Sequence, residues 1–238
     1  MSGLRDSPLL RLVWHYTITT GDNIRFVVQL PALAELCQGR YERGLDAGGG
    51  SGMYTQRILL PNCAQVAAVD LGVAGLERMA RRLRPADRER LQIAEASLTR
   101  LPFPDRSFDL VLCSEVIEHI EDDLAAVREL ARVARDGATV VIAVPHPPAP
   151  FPDGAHVREG YTLEALTALC REAGLEVEEH RYCFFGLSRT AVKLSRAVRQ
   201  ALHVPPPLQL LPLLERALWR DAGVERGPYD LMVRARKR

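Results

Sequence analysis

The sequence is poor in the features that would place it in a membrane, an oxidising compartment or a nucleic-acid groove. No run among its 238 residues is apolar for the length that crossing a bilayer requires. The opening MSGLRDSPLL lacks the apolar core of a secretory leader. Five cysteines (Cys37, Cys63, Cys113, Cys170 and Cys183) are scattered, odd in number and without a CxxC pair. That argues against a disulfide framework and a zinc site, and it leads us to expect buried, reduced thiols in a cytosolic protein. Charge of one sign is missing too. Lys and Arg number 31 and Asp and Glu 30, a formal net charge of +1. No overall basic field is present to grip a phosphate backbone, and aromatics at 6% offer no evident stacking platform. Internal repeats are absent, and PHPPAPFP is the sole compositionally biased tract.

What is present is an alternation of strand and helix. Residues 8–38 read as helical, with a break near TTGDN. Strands are expected at 43–48, 65–70, 91–96, 107–114, 138–145, 175–185 and 229–236. Between them SGMYTQRILL reads as helix, as do 75–84 closed by Pro85, 122–135 with Asp122 or Asp123 as N-cap and Gly137 beyond its end, and 162–174 opened by Thr162 and closed by Gly174. The central strands are continuously apolar, as strands are when helices cover both faces of a parallel sheet. We therefore expect an α/β, doubly wound, seven-stranded and mostly parallel sheet with an antiparallel last strand. A helical cover at 1–38 precedes a domain built from 39–186 and 222–238, and 187–221 reads as a helical insertion or lid.

The glycine turn in GLDAGGGSGMYT, residues 44–55, follows the first strand. A phosphate-binding P-loop would end in Gly-Lys-Ser/Thr, which is absent. A dinucleotide fingerprint counted from Gly48 needs a small residue where Met53 stands. D-x-G-x-G-x-G is satisfied by Asp46, Gly48, Gly50 and Gly52. With it, Asp70 ends the second strand, and LPFPDRSFDLVLCSEVIEHI, VARDGATVVIAVP and YTLEALTALCREAGLEV follow in order. Over about residues 40–185 the chain resembles the class I S-adenosylmethionine-dependent methyltransferases of the small-molecule branch, and is similar to the ubiquinone-pathway O-methyltransferases. The resemblance implies S-adenosylmethionine as cofactor, with the glycine turn beneath its methionyl end and ribose. It implies that Asp70, followed by Leu71, holds both ribose hydroxyls. Ser97, before Leu98, stands where the family usually has an aspartate for the adenine amino group, and Asp136-Gly137 replaces the usual Pro-Gly or Gly-Gly. Ser114 would border the methyl end. Asn23 and Arg25 faintly resemble an element in which the arginine holds the methionyl carboxylate.

The cofactor brings an activated methyl, so positioning carries much of the reaction and a base serves an acceptor that must lose a proton. His119 and His146 are the candidate bases. If EVIEH forms an α-helical turn, Glu115, Glu118 and His119 stand at about 0°, 300° and 40° and share a face. Two carboxylates and an imidazole can hold Mg²⁺, Mn²⁺ or Fe²⁺, with His146 or His156 as a further ligand. Glu-x-x-Glu-His also resembles the metal motif of small-RNA 3′-terminal 2′-O-methyltransferases, yet the Glu-His block stands equally in family members that need no metal. Residues 187–204 form a basic amphipathic helix. It reads either as a packed lid or as a peripheral membrane contact admitting a lipid-like acceptor. The expected activity is methyl transfer to a small molecule at oxygen. An RNA 3′-terminal 2′-O-methyltransferase and a non-catalytic cofactor-binding scaffold are the alternatives.

Overall fold

Consecutive buried residues, rather than alternating ones, build the centre of the sheet. Leu110–Ser114 and Ala138–Pro145 are buried at every position. The computed structural model describes residues 24–148, 156–191, 193–194, 210–219 and 222–238. Seven strands are β1 (Tyr41–Ala47), β2 (Cys63–Asp70), β3 (Leu91–Glu95), β4 (Phe108–Ser114), β5 (Ala134–Pro145), β6 (Leu175–Cys183) and β7 (Asp230–Lys237). Their order is β3-β2-β1-β4-β5-β7-β6. β1 runs parallel to β2 and β4, β2 to β3 and β4 to β5, while β7 is antiparallel to β5. This is the expected doubly wound, mostly parallel sheet. Strand order reverses between β1 and β4, so a crevice opens beyond the carboxyl ends of those two strands.

The helices are α1 (Ile24–Leu36), α2 (π-wound over Thr55–Leu59 and continuing through Leu60–Asn62), α3 (Ala74–Ala80), α4 (Pro85–Glu89), α5 (Asp123–Val133), α6 (Leu163–Glu172) and α7 (Leu210–Trp219). Two N-caps fall as expected. Asp122 accepts from the Ala125 N–H and Thr162 from the Ala165 N–H, each filling a donor that the first helical turn leaves open.

Two boundaries differ from expectation. Pro85 opens α4 instead of closing the preceding helix, which ends at Ala80. A proline lacks only the N–H that a first turn does not use, and extended Arg84 suits the residue before it. Gly137 does not terminate α5. β5 begins at Ala134, and Gly137 sits inside it at φ +77°. The β4–β5 register shifts there between Phe108 and Leu110, so the glycine serves a bulge.

The chain divides into two compact units. One is Leu33–Arg181 with Tyr229–Arg238; the other holds Tyr182–Pro228 and the described residues before Leu33. In the second unit, buried Glu215 of α7 accepts from the N–H groups of Phe185 and Ser188 and from the Ser188 hydroxyl. Of the amphipathic stretch 187–204, residues 187–191 and 193–194 are helical and the others lie outside the described residues. So does 8–23 of the N-terminal helical reading. All five cysteines are buried and outside any disulfide, and burial pushes the Cys63 and Cys170 thiols up to about 12. Among the described residues no helix is long and apolar enough to cross a membrane.

Candidate functional site

The chain leaves β1 through the glycine turn and is bent back at once. The N–H groups of Gly48 and Gly49 both donate to the Val69 carbonyl, at 2.8 and 2.9 Å. Gly48, Gly50 and Gly52 take φ of +85°, +52° and +76°, a region costly for any residue with a Cβ. The packing is as restrictive as the torsions. A Cβ on Gly48 would overlap Val116, and one on Gly75 would overlap the Gly50 carbonyl oxygen. A Cβ on Gly50 would meet nothing within 4 Å. The Cα of Gly50 thus faces open space, while its carbonyl is packed on the first turn of α3 and Gly48 on the segment after β4.

Asp70 ends β2 beside this turn. One carboxylate oxygen accepts from the Gly50 N–H at 2.8 Å, the other from the Gly72 N–H at 3.0 Å. The carboxylate therefore holds the turn, and each oxygen keeps a lone pair that could serve a vicinal diol. Leu71, next in the chain, is 74% exposed and presents an apolar surface at the same lip. Asp46 is placed differently. It is 2% exposed and accepts from the Thr55 hydroxyl at 2.5 Å, beneath the turn. Burial pushes its carboxyl up to about 6, while the Thr55 bonds pull the other way.

Ser97 shares a 2.8 Å hydrogen bond with Thr99, and Leu98 is buried. Ser114 ends β4, also buried, and its Oγ has no hydrogen-bond partner among the described residues. A buried hydroxyl left in that state is a place for a ligand atom. The open face of Gly50, the spare capacity of Asp70 and the Ser114 hydroxyl together fit the adenosyl cofactor that the resemblance implies. Arg25 lies in α1, and its side chain is outside what is described.

Beyond β4 the α-helical reading of EVIEH is corrected. Glu115 takes φ +58°, and a 3-10 turn covers Ile117–His119. One residue in the left-handed region breaks any helical face, so Glu115 does not join Glu118 and His119. The third member comes from a distant loop. Ligand atoms of Glu118, His119 and His156 lie within 4.8 Å of one another. Glu118 is fully buried, His119 Nε2 stands 3.8 Å from Glu118 Oε1, and the His119 and His156 rings meet edge to face at 4.6 Å.

That loop is tied down by its backbone and by one arginine. The N–H groups of Val157 and Arg158 donate to the Glu118 carbonyl. The Arg158 guanidinium donates to the carbonyls of Ile117, Ile120 and Glu121 and to the Tyr161 hydroxyl, and pairs with Asp123 at 3.3 Å. Tyr161 donates to Asp123 and, through its N–H, to the Pro145 carbonyl. His146 follows β5 directly. It is 7% exposed, its N–H donates to Tyr229, and burial holds its ring below the ordinary 6.5. His146 is not part of the Glu118–His119–His156 group. Sequence reasoning missed Gly72, Gly75, Arg158 and Tyr161. Gly75 and Arg158 carried no local signal, since each works on backbone brought near only by the fold.

Residues 45–142 match the family described as "Methyltransferase domain". A Mycolicibacterium smegmatis protein named "Probable S-adenosylmethionine-dependent methyltransferase" is 33% identical over 225 residues, covering 90% of this chain and 82% of that one. The 27-O-demethylrifamycin SV methyltransferase of Amycolatopsis mediterranei is 33% identical over 58% of this chain and 55% of its own. The Coxiella burnetii ubiquinone/menaquinone biosynthesis C-methyltransferase is 31% identical over 59% and 57%. Of these last two relatives the chain spans little more than half the length. Among solved structures, an S-adenosylmethionine-dependent methyltransferase from Mesorhizobium loti shares the fold, with a TM-score of 0.61 and 19% identity over 90% of this chain and all of that one.

Proposed function

This chain belongs to the S-adenosylmethionine-dependent methyltransferases, and on that footing we propose that it moves the methyl group onto an oxygen of a small-molecule acceptor. When bound, S-adenosylmethionine supplies an electrophilic methyl on a sulfonium sulfur. The glycine turn would hold the cofactor against backbone, Asp70 would accept from its ribose hydroxyls, and Leu71 would offer an apolar face to adenine. Ser97 and the Leu98 N–H would read the adenine edge, and the Ser114 hydroxyl would border the methyl end.

His146 carries the choice of oxygen. A hydroxyl acceptor at neutral pH has to lose its proton as the new bond forms. Burial disfavours the charged form of this imidazole and so favours the neutral ring that a general base needs. Bound there, the cofactor would supply the methyl carbon to the acceptor oxygen and keep the carbon–sulfur electrons on its sulfur, and His146 would take the hydroxyl proton. His119, the other candidate base, is already engaged with Glu118 and His156.

The test has two parts. Asp70→Ala is expected to weaken S-adenosylhomocysteine binding by about 100-fold in calorimetry, because it removes both the anchor of the turn and the diol acceptor. His146→Gln is expected to lower kcat about 100-fold with that affinity unchanged, the loss shrinking at high pH where the acceptor ionises by itself. Wild-type turnover by the glutamine variant at neutral pH would remove His146 from the reaction. Transfer of a carbon-13 methyl then separates the products, since an O-methyl and a C-methyl resonate apart. A C-methyl product would refute the oxygen assignment.

A further inference from the structure

We infer that Glu118, His119 and His156 form a binding site for a divalent first-row transition cation, of the zinc, iron or cobalt kind, in preference to magnesium. The donor set decides the class. Two imidazole nitrogens and one carboxylate suit borderline cations, whereas magnesium takes oxygen donors in a nearly ideal octahedron. Had Glu115 stood where the α-helical reading put it, the set would have been richer in oxygen. The φ of +58° at Glu115 and the 3-10 turn after it leave one carboxylate in the group, and the loop supplies the second imidazole.

The arrangement is held before any ion arrives. Glu118 is fixed within the core in the middle of the 3-10 turn, and its own carbonyl accepts from the two residues that follow His156. Arg158 then clamps that loop onto Ile117, Ile120 and Glu121. Three ligand atoms within 4.8 Å need to close by about 1 Å to share one ion at bond lengths near 2.1 Å, a movement that side-chain rotation supplies. The buried carboxylate closes one side. His119 is exposed and His156 half-buried, so coordination positions remain on the outer side. An acceptor bearing adjacent oxygens fits such positions. That role rests on the methyl-transfer reading above, while the cation site itself does not.

The experiment uses the full chain, stripped with a chelator and titrated with Co²⁺ while visible absorption is followed. Wild type is expected to take up one equivalent with a ligand-field band. His156→Asn is expected to lose the band and Glu115→Gln to keep it. A large excess of Mg²⁺ is expected to leave the band in place. Circular dichroism of each variant and its affinity for S-adenosylhomocysteine report whether the fold and the cofactor site persist. Should His156→Asn fail to fold, His119→Asn provides the same reading. The proposal falls if wild type binds no stoichiometric Co²⁺, if the band survives both histidine substitutions, or if Mg²⁺ displaces the ion. Retained S-adenosylhomocysteine binding with no Co²⁺ uptake would sink the cation site alone. Co²⁺ uptake without S-adenosylhomocysteine binding would uphold the cation site and sink the cofactor placement.

Discussion

Asp46 makes the protein less stable as the solution becomes less acidic, and Asp46→Asn should remove that dependence. The carboxyl is buried at the end of β1, and burial pushes it up to about 6 against an ordinary 3.8. A raised carboxyl contributes stability that is fully present below the unfolded value and is lost as pH climbs through the folded one. With a difference of about two pKa steps, the ionised form costs about 3 kcal/mol at pH 7.5 and about half of that at pH 5. Asparagine carries no such cost, and its carbonyl still accepts from the Thr55 hydroxyl. Its amide group brings a burial penalty of its own, but that penalty does not change with pH. The quantity to measure is therefore a difference of differences, from urea unfolding of both proteins at pH 5 and pH 7.5. The variant should gain about 1 to 2 kcal/mol on wild type between those two values. A gap that stays constant, or one that shrinks as pH rises, would mean that Asp46 does not titrate in this window and that the account of its burial is wrong.

Three further substitutions probe how the site is held. Gly75→Ala drives a Cβ into the Gly50 carbonyl oxygen, so α3 and the glycine turn must part; a loss of about 2 kcal/mol and weakened S-adenosylhomocysteine binding are expected, whereas Gly72→Ala, with open space around its Cβ, should cost little stability. Equal melting temperatures for the two variants would contradict this. Arg158→Ala strips three carbonyls and Tyr161 of a charged donor, with an expected cost of about 2 to 3 kcal/mol and faster amide exchange at Val157 in particular. Unchanged exchange there would show that the backbone bonds to Glu118 hold the loop without the arginine.

The elements legible in the chain are those whose physics is local. Continuous apolar runs located the central strands β4 and β5, because a strand covered on both faces has no polar side to interrupt the pattern, whereas alternation located β6. Capping side chains located the starts of α5 and α6. Asp46, Gly48, Gly50, Gly52 and Asp70 were recognisable because each answers a backbone demand that few residue types can meet. The misreadings lie where two local rules compete. Pro85 can end a helix or begin one, and the sequence near Ala80 does not say which. Gly137 can close a helix or serve a bulge, and only the register of β4 against β5 decides. The EVIEH reading failed on winding. An α-helical turn advances about 100° per residue, and neither the left-handed Glu115 nor a 3-10 turn follows it.

The glycine turn and the Glu118–His119–His156 group were unequally legible for one physical reason. The glycine turn is backbone held at fixed points: glycine N–H groups on the Val69 carbonyl and on the Asp70 carboxylate. Such bonds constrain residue type at fixed short spacing, so they leave a motif. The Glu118–His119–His156 group is made of side chains that meet across elements. His156 reaches Glu118 over a gap of 37 positions, and it is placed by an arginine that spends its donors on carbonyls any residue could supply. Carbonyls impose no residue type, so Ile117, Ile120 and Glu121 could each change without loosening the clamp. The loop around His156 can therefore vary in sequence while keeping its shape, the freedom that loops on a shared fold have.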